Sequence, residues 1–247
     1  MDVLSSTPIE NGVLSALSPS VYEHLKPRLK RVRLEAGGTL YDLGSASEHA
    51  WFITRGIVSY RTNTEAGDII EAAAVGREGV VGLSGITENS GMSLWAQVQI
   101  SGEAMQIGTK ALENILEQER VFLRLLFEYI HTLNEQIALT FLCNQYHTPV
   151  QRMARWLLLA QDRISADKIV LTHDNMTQIF GISRSRVSQA AGVLQKNGLI
   201  RYQRGQIKIL DQIGLEYAVC ECYKAIIRAI GCFLPPKTVS VSDLVNR

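Results

Sequence analysis

Residues 171–209 read LTHDNMTQIFGISRSRVSQAAGVLQKNGLIRYQRGQIKI, and this stretch decides the architecture. Thr172 stands at an N-cap position ahead of apolar Met176, Ile179 and Phe180 at helical spacing. Gly181 supplies a tight turn, Ile182 a plug for a small core, and Ser183 a cap for a second helix. That helix places Val187, Ala190, Ala191 and Leu194 on one face, at i, i+3, i+4 and i+7. Its other face carries Arg184, Ser185, Ser188, Gln189 and Gln195, with Arg186 on the flank, and Asn197 and Gly198 end it. Beyond it Ile200 and Tyr202 alternate with polar residues, residues 203–206 turn, and Ile207 and Ile209 alternate on the way back.

Two helices joined by a glycine turn and followed by a basic hairpin read as a winged helix-turn-helix. Arg and Gln each make bidentate bonds to base edges, and Ser donates to bases or phosphates, so the outward face of the second helix suits a major groove. The expected contacts to double-stranded DNA are Thr172, Ser183, Arg184, Ser185, Arg186, Ser188, Gln189, Arg201 and Arg204. Charge agrees once it is counted by region. Residues 148–210 hold ten Lys or Arg against three acids, a surplus of seven, while the whole chain carries +1, which leaves −6 on the rest. A basic module attached to an acidic one is the footprint of a nucleic-acid binder with a second function.

On these residues, 148–215 resemble the DNA-binding domain of the CRP/FNR family of bacterial transcription regulators. The matching text is LTHDNMTQIFGISRSRVSQ, GVLQKNGLI and GQIKILDQIGLE, and the run LEAGGTLYDLGSASEHAWFITRGIVSY resembles that family's sensor domain more loosely. The resemblance implies an α+β chain: an N-terminal cyclic-nucleotide-binding-like β-roll, a long central dimerisation helix and a C-terminal winged helix-turn-helix. Divided on that plan, residues 1–110 form the N-terminal helix and roll, 111–147 the central helix, 148–215 the DNA-binding domain and 216–247 a helical extension and tail.

The front module reads as β-rich from its residues alone. Twelve of the 19 glycines fall between Gly37 and Gly108, and residues 50–60, 69–75 and 95–100 are strand-like. Ser18 and Pro19 open a helix that stops near Pro27. In cyclic-nucleotide-binding relatives a Gly-Glu pair holds the ribose and an Arg-Ser or Arg-Thr pair neutralises the phosphate. Here Gly82-Leu83 stands at the first position and Met92-Ser93 or Ser93-Leu94 at the second, and no arginine occurs between Arg77 and Arg120. A phosphate buried without a guanidinium forfeits a charge-assisted pair, so cyclic nucleotide is not expected and the effector stays unknown.

Between the modules, residues 111–146 are helical in pattern. Leu123, Leu126, Ile130, Leu133, Ile137 and Phe141 recur at spacings of three or four, a near-heptad seam for a parallel two-helix dimer contact. Phe122, Leu125 and Tyr129 form a second apolar set that faces the roll. A homodimer sets two recognition helices about 34 Å apart, one helical turn of DNA, and so calls for a near-palindromic site. After Pro149, a helix from Gln151 to Leu159 has Arg152 and Arg155 on its polar side. The resemblance implies a hinge at Pro149, through which an effector changes the separation of the recognition helices.

Within the second helix, relatives often carry Glu where Ser185 stands and Arg where Gln189 stands, so the base preference differs. Arg184 and Gln189 are expected to read bases, and Ser183, Arg201 and Arg204 to hold phosphates. RNA polymerase is a further candidate partner. The competing reading is a ligand-binding signalling module whose winged helix contacts protein; an outward face of Arg, Ser and Gln without aromatic anchors favours DNA.

Other chemistries find little support. G-x-S-x-G, H-E-x-x-H and Walker-type loops are missing, so no enzyme is expected. Some relatives hold an iron-sulfur cluster on N-terminal cysteines, but the first cysteine here is Cys143, followed by Cys220, Cys222 and Cys232. These match no strong zinc spacing, and the five histidines are scattered, so no metal site is expected. No signal-like N-terminus and no span of about 18 uncharged apolar residues occurs, which points to the cytoplasm.

Overall fold

The computed structural model describes residues 9–86, 93–164 and 168–234. Two short helices come first, α1 (Gly12–Ser15) and α2 (Pro19–Leu25). Asn11 caps α1 by accepting from the Leu14 amide at 3.0 Å. Its side-chain nitrogen donates to the Ile53 and Gly79 carbonyls at 2.7 and 2.8 Å, pinning the N-terminal segment to the sheet. Ser18 caps α2 with Pro19 in its first turn, as the sequence indicates.

Six strands follow: β1 (Lys30–Leu34), β2 (Thr39–Tyr41), β3 (His49–Asn63), β4 (Ile69–Val75), β5 (Val80–Val81) and β6 (Trp95–Gly108). All pairings are antiparallel, in the order β1-β6-β3-β4, with β2 on β6 and β5 on β3. The long strands β3 and β6 carry the sheet, and their register shifts around Arg55 and Ile57 let it curl. Leu34, Tyr41, Trp51, Ile53, Val58, Tyr60, Val81 and Val98 form one buried core of the sheet. Ser93 and Leu94 fall just before β6, while Met92 lies outside the described residues.

The helix anticipated over residues 111–146 is two helices, α3 (Thr109–Gln118) and α4 (Arg120–Tyr146). The backbone of Glu119 leaves the helical region (φ −108°, ψ 75°), and α4 then runs about 40 Å. Phe122, Leu126 and Tyr129 are buried against the roll, with Leu125 half-buried beside them. Phe122 and Tyr129 are where the sequence put them. Leu126, assigned above to the dimer seam, is only 3% exposed and belongs to this core instead.

The C-terminal module comprises α5 (Pro149–Arg163), β7 (Lys168–Val170), α6 (His173–Phe180), α7 (Arg184–Lys196), β8 (Ile200–Gln203), β9 (Gln206–Ile209) and α8 (Gln212–Ala218). Thr148 caps α5 through a reciprocal pair with Gln151. Around Met153, Leu157, Phe180, Val187, Leu194 and Ile207 a core forms that also takes in Ile57 and Ala74 of the roll. Arg152 and Arg155 are not on a polar face, a correction to the sequence reading. Both are buried, as is Arg163. Arg152 donates to the Phe180 carbonyl, Arg155 to Thr140 Oγ1 at 3.2 Å, and Arg163 pairs with Glu78 at 2.7 Å. A last helix, α9 (Cys222–Ile230), packs Ile226 and Ile230 against Leu159 of α5 and Leu139 of α4. Residues 235–247 of the anticipated tail lie outside the described residues.

Candidate nucleic-acid interface

The helix pair α6–α7 is built as its residues dictate. Thr172 Oγ1 accepts from the Asn175 amide at 3.1 Å, while Asn175 Oδ1 accepts from the Thr172 amide at 3.2 Å, so two otherwise unsatisfied donors are met reciprocally. Gly181 ends α6 in the left-handed region (φ 58°), which a side chain disfavours. Ile182 is half-buried against the domain core.

Ser183 occupies the N-cap position of α7, but its hydroxyl accepts from no helix amide and pairs with Ser185 Oγ at 3.1 Å. Both hydroxyls therefore stay on the surface. Val187, Ala190, Ala191 and Leu194 are buried as their spacing requires. Thr172, at the start of α6, and Ser183, Arg184, Ser185, Arg186, Ser188 and Gln189, at the start of or on α7, are all exposed. Gln195 plays a different part, since its Oε1 accepts from the Tyr202 amide at 2.8 Å and props the wing against the helix. Arg184 is held by Asp174 at 2.9 Å, in an ion pair open to solvent.

The wing is a three-stranded sheet in the order β7-β9-β8. Lys168 faces Lys208, and Lys208 faces Arg201, so three exposed cations line up across it. Like charges directly opposed weaken a sheet, and a polyanion laid along this row offsets that repulsion. Lys208 was legible from sequence as a basic residue of the hairpin, but Lys168 was not, because a three-residue strand such as β7 shows no alternation to read. Arg204 and Gly205 form the hairpin tip, both with positive φ (49° and 74°), the geometry of a type I′ turn. With Arg152, Arg155 and Arg163 buried, the domain's outward basic charge rests on Lys168, Arg184, Arg186, Lys196, Arg201, Arg204 and Lys208.

The buried polar contacts join this module to the roll. Trp156 Nε1 donates to Glu71 Oε1 at 2.9 Å, and Arg61 Nη1 donates to Gln178 Oε1 at 2.9 Å. Burial pushes the Glu71 carboxyl above the usual range, against the hydrogen bonds from Ser59 and Trp156 and the charges of Arg61 and Arg155. Among the described residues no helix is long and apolar enough to cross a membrane.

A second group, unrelated to nucleic acid, also stands out. Cys143, His147, Cys220 and Cys222 present ligand atoms that all lie within 4.8 Å of one another. The sequence reading kept these residues apart, because some 70 residues separate the two halves of the group.

Comparison with known proteins agrees with the geometry. The Crp-like helix-turn-helix domain family matches residues 151–218. No curated protein matches the sequence. Among solved structures, the chain is similar to FixK2 from Bradyrhizobium japonicum (TM-score 0.66, 17% identity, 78% of this chain and 98% of that one). It is similar also to a regulator assigned to the CRP/FNR family from Eubacterium rectale (TM-score 0.65, 15% identity, 85% and 98%). A CRP-family transcriptional regulator from Thermus thermophilus gives TM-score 0.61 at 17% identity, over 82% and 98%. At such identities these likenesses speak for the fold. Residues 151–218 are thus a Crp-like helix-turn-helix domain, carried on a chain with the fold of the CRP/FNR-family transcription regulators.

Proposed function

We propose that the protein is a sequence-specific DNA-binding transcription regulator that acts as a homodimer. The observation that carries the reading is the two-sidedness of α7. Its apolar residues Val187, Ala190, Ala191 and Leu194 are buried, while Arg184, Ser185, Ser188 and Gln189 face outward beside a wing that aligns Lys168, Lys208 and Arg201. In this reading Arg184 and Gln189 contact base edges, and Ser183, Arg201, Arg204 and the two wing lysines hold phosphates.

The dimer seam follows from α4. With Leu126 committed to the core and Leu133, also placed in the seam from sequence, half-buried against the roll, Leu123, Phe127, Ile130, Asn134, Ile137 and Phe141 recur at four, three, four, three and four, a heptad repeat. Phe127, Ile130 and Phe141 are 62%, 36% and 68% exposed, apolar side chains along one helix left for a partner to cover. Asn134 is the single polar residue of the set, and one such residue fixes register and favours two strands. Two copies packed along this seam present two α7 helices to successive major grooves, one turn of DNA apart.

Selection of bound fragments from random DNA at about 150 mM salt tests this reading. The expected product is a near-palindrome with half-sites about 10 base pairs apart. Absence of any enriched motif, from protein that is folded and dimeric, would contradict it.

A further inference from the structure

Cys143 and His147 are one turn apart at the C-terminal end of α4, so they share a face. Cys220 sits on the link between α8 and α9 and Cys222 opens α9, and both pack against Cys143. Cys143 Sγ lies 3.5 Å from Cys220 Sγ, and Cys222 Sγ lies 3.6 Å from His147 Nδ1. All three cysteines are free thiols and buried. An ion bound at about 2.3 Å to sulfur and about 2.0–2.1 Å to nitrogen keeps its ligand atoms about 3.5–3.8 Å apart. Both separations already have that length.

We propose that Cys143, His147, Cys220 and Cys222 bind one divalent metal ion of the zinc class, in tetrahedral coordination by three thiolates and His147 Nδ1. Two neighbours complete the arrangement. His147 Nε2 is 3.3 Å from Glu221 Oε1, so with Nδ1 on the metal the other nitrogen keeps its proton and donates it to a carboxylate. That pairing fixes the tautomer and orients the ring. Three thiolates, a dication and a neutral imidazole sum to one negative charge, and the buried Arg155 guanidinium, which donates to Thr140 three residues before Cys143 on α4, brings a positive charge to that side.

A cluster of inert thiols needs neither an imidazole aimed at the third sulfur nor a carboxylate behind it. A four-iron cluster ties each thiolate to a different iron and so holds them farther apart than these are. The ion would fasten α9 to the end of α4, beside the Thr148–Pro149 joint from which α5 departs. Its binding energy adds to the stability of that joint.

The test is titration of the full-length protein, reduced and stripped of metal under anaerobic conditions, with Co²⁺. Tetrahedral d–d bands and near-ultraviolet thiolate-to-cobalt bands should saturate at one ion per chain and be bleached by Zn²⁺. Cys143→Ser and Cys222→Ser should each diminish the thiolate band, and Glu221→Gln should weaken binding by about 10–100-fold. Cys232→Ser, at an exposed cysteine outside the group, should change nothing. Wild-type protein without a thiolate band overturns the proposal, as does a band that both cysteine variants leave intact. So does protein that takes up iron with acid-labile sulfide, or that forms a Cys143–Cys220 disulfide, in place of the single ion. Because the wild-type titration is decisive alone, misfolding of a variant does not shelter the claim.

Discussion

Trp156 donates its indole N–H to Glu71 Oε1 at 2.9 Å, and so fastens the first helix of the C-terminal domain to strand β4 of the roll. Farther along the same helix, Arg163 pairs with Glu78 at 2.7 Å, and both side chains are almost fully buried. Removing one partner of such a pair leaves an uncompensated charge and costs about 3–5 kcal/mol. The two modules are therefore coupled through groups that must move together if the helix-turn-helix is to swing.

Glu71 gives this coupling a pH dependence. A carboxyl whose folded pKa is raised holds more protons folded than unfolded, so its contribution to stability falls as pH climbs from the unfolded value of about 4.3 through the folded one. Glu71→Gln keeps an acceptor for Trp156 and removes the titration. The variant should gain stability relative to wild type as pH rises from about 4 to about 8 in urea denaturation. Parallel pH profiles would show that the slope has another source.

If Arg184 reads DNA as proposed, the Asp174–Arg184 pair competes for its guanidinium. Both side chains are about two-thirds or more exposed, so the pair contributes no more than about 1 kcal/mol. Asp174→Ala should tighten binding to the selected site by at most about fivefold, measured by fluorescence anisotropy. Weaker binding would mean that Asp174 positions Arg184 instead of restraining it.

Arg204 sits at φ 49° in the wing turn, where Asn is more at ease than Arg. Arg204→Asn should stabilise the domain by about 1 kcal/mol and also reduce the salt dependence of DNA binding by about one phosphate contact. Opposite effects on thermal melting and on DNA affinity are the signature to look for. A salt slope equal to that of wild type would remove Arg204 from the contacts.

The seam and the core of α4 are separable by mutation. Replacing both Phe127 and Ile130 with Glu should convert the dimer to monomer in sedimentation, with little loss of monomer stability, since both side chains are exposed. Leu126→Ala should do the reverse, costing about 2–5 kcal/mol of unfolding free energy and leaving the seam in place. A double variant that remains dimeric would place the interface elsewhere.

The winged helix was legible because its contacts are local. Val187, Ala190, Ala191 and Leu194 announce a buried face by spacing alone, and Ile207 and Ile209 announce a strand. What sequence missed depends on partners far along the chain. Arg152, Arg155 and Arg163 look like surface charge until Phe180, Thr140 and Glu78 are brought to them. Leu126 and Phe127 are neighbours on one helix, and only the packed roll decides which of them is buried and which stays exposed. Cys143 carries no signal by itself, since the chain must fold before Cys220, Cys222 and His147 surround it.

The central claim, that α7 reads DNA, is tested most directly by repeating the fragment selection with Arg184→Ala beside wild type. Wild type should enrich a near-palindrome. The variant should lose base preference at one matching position in each half-site and bind the original site about 1–3 kcal/mol more weakly. An unchanged motif and affinity in the variant would contradict the assignment of Arg184 as a base-reading residue, and no motif from wild type would contradict the account as a whole.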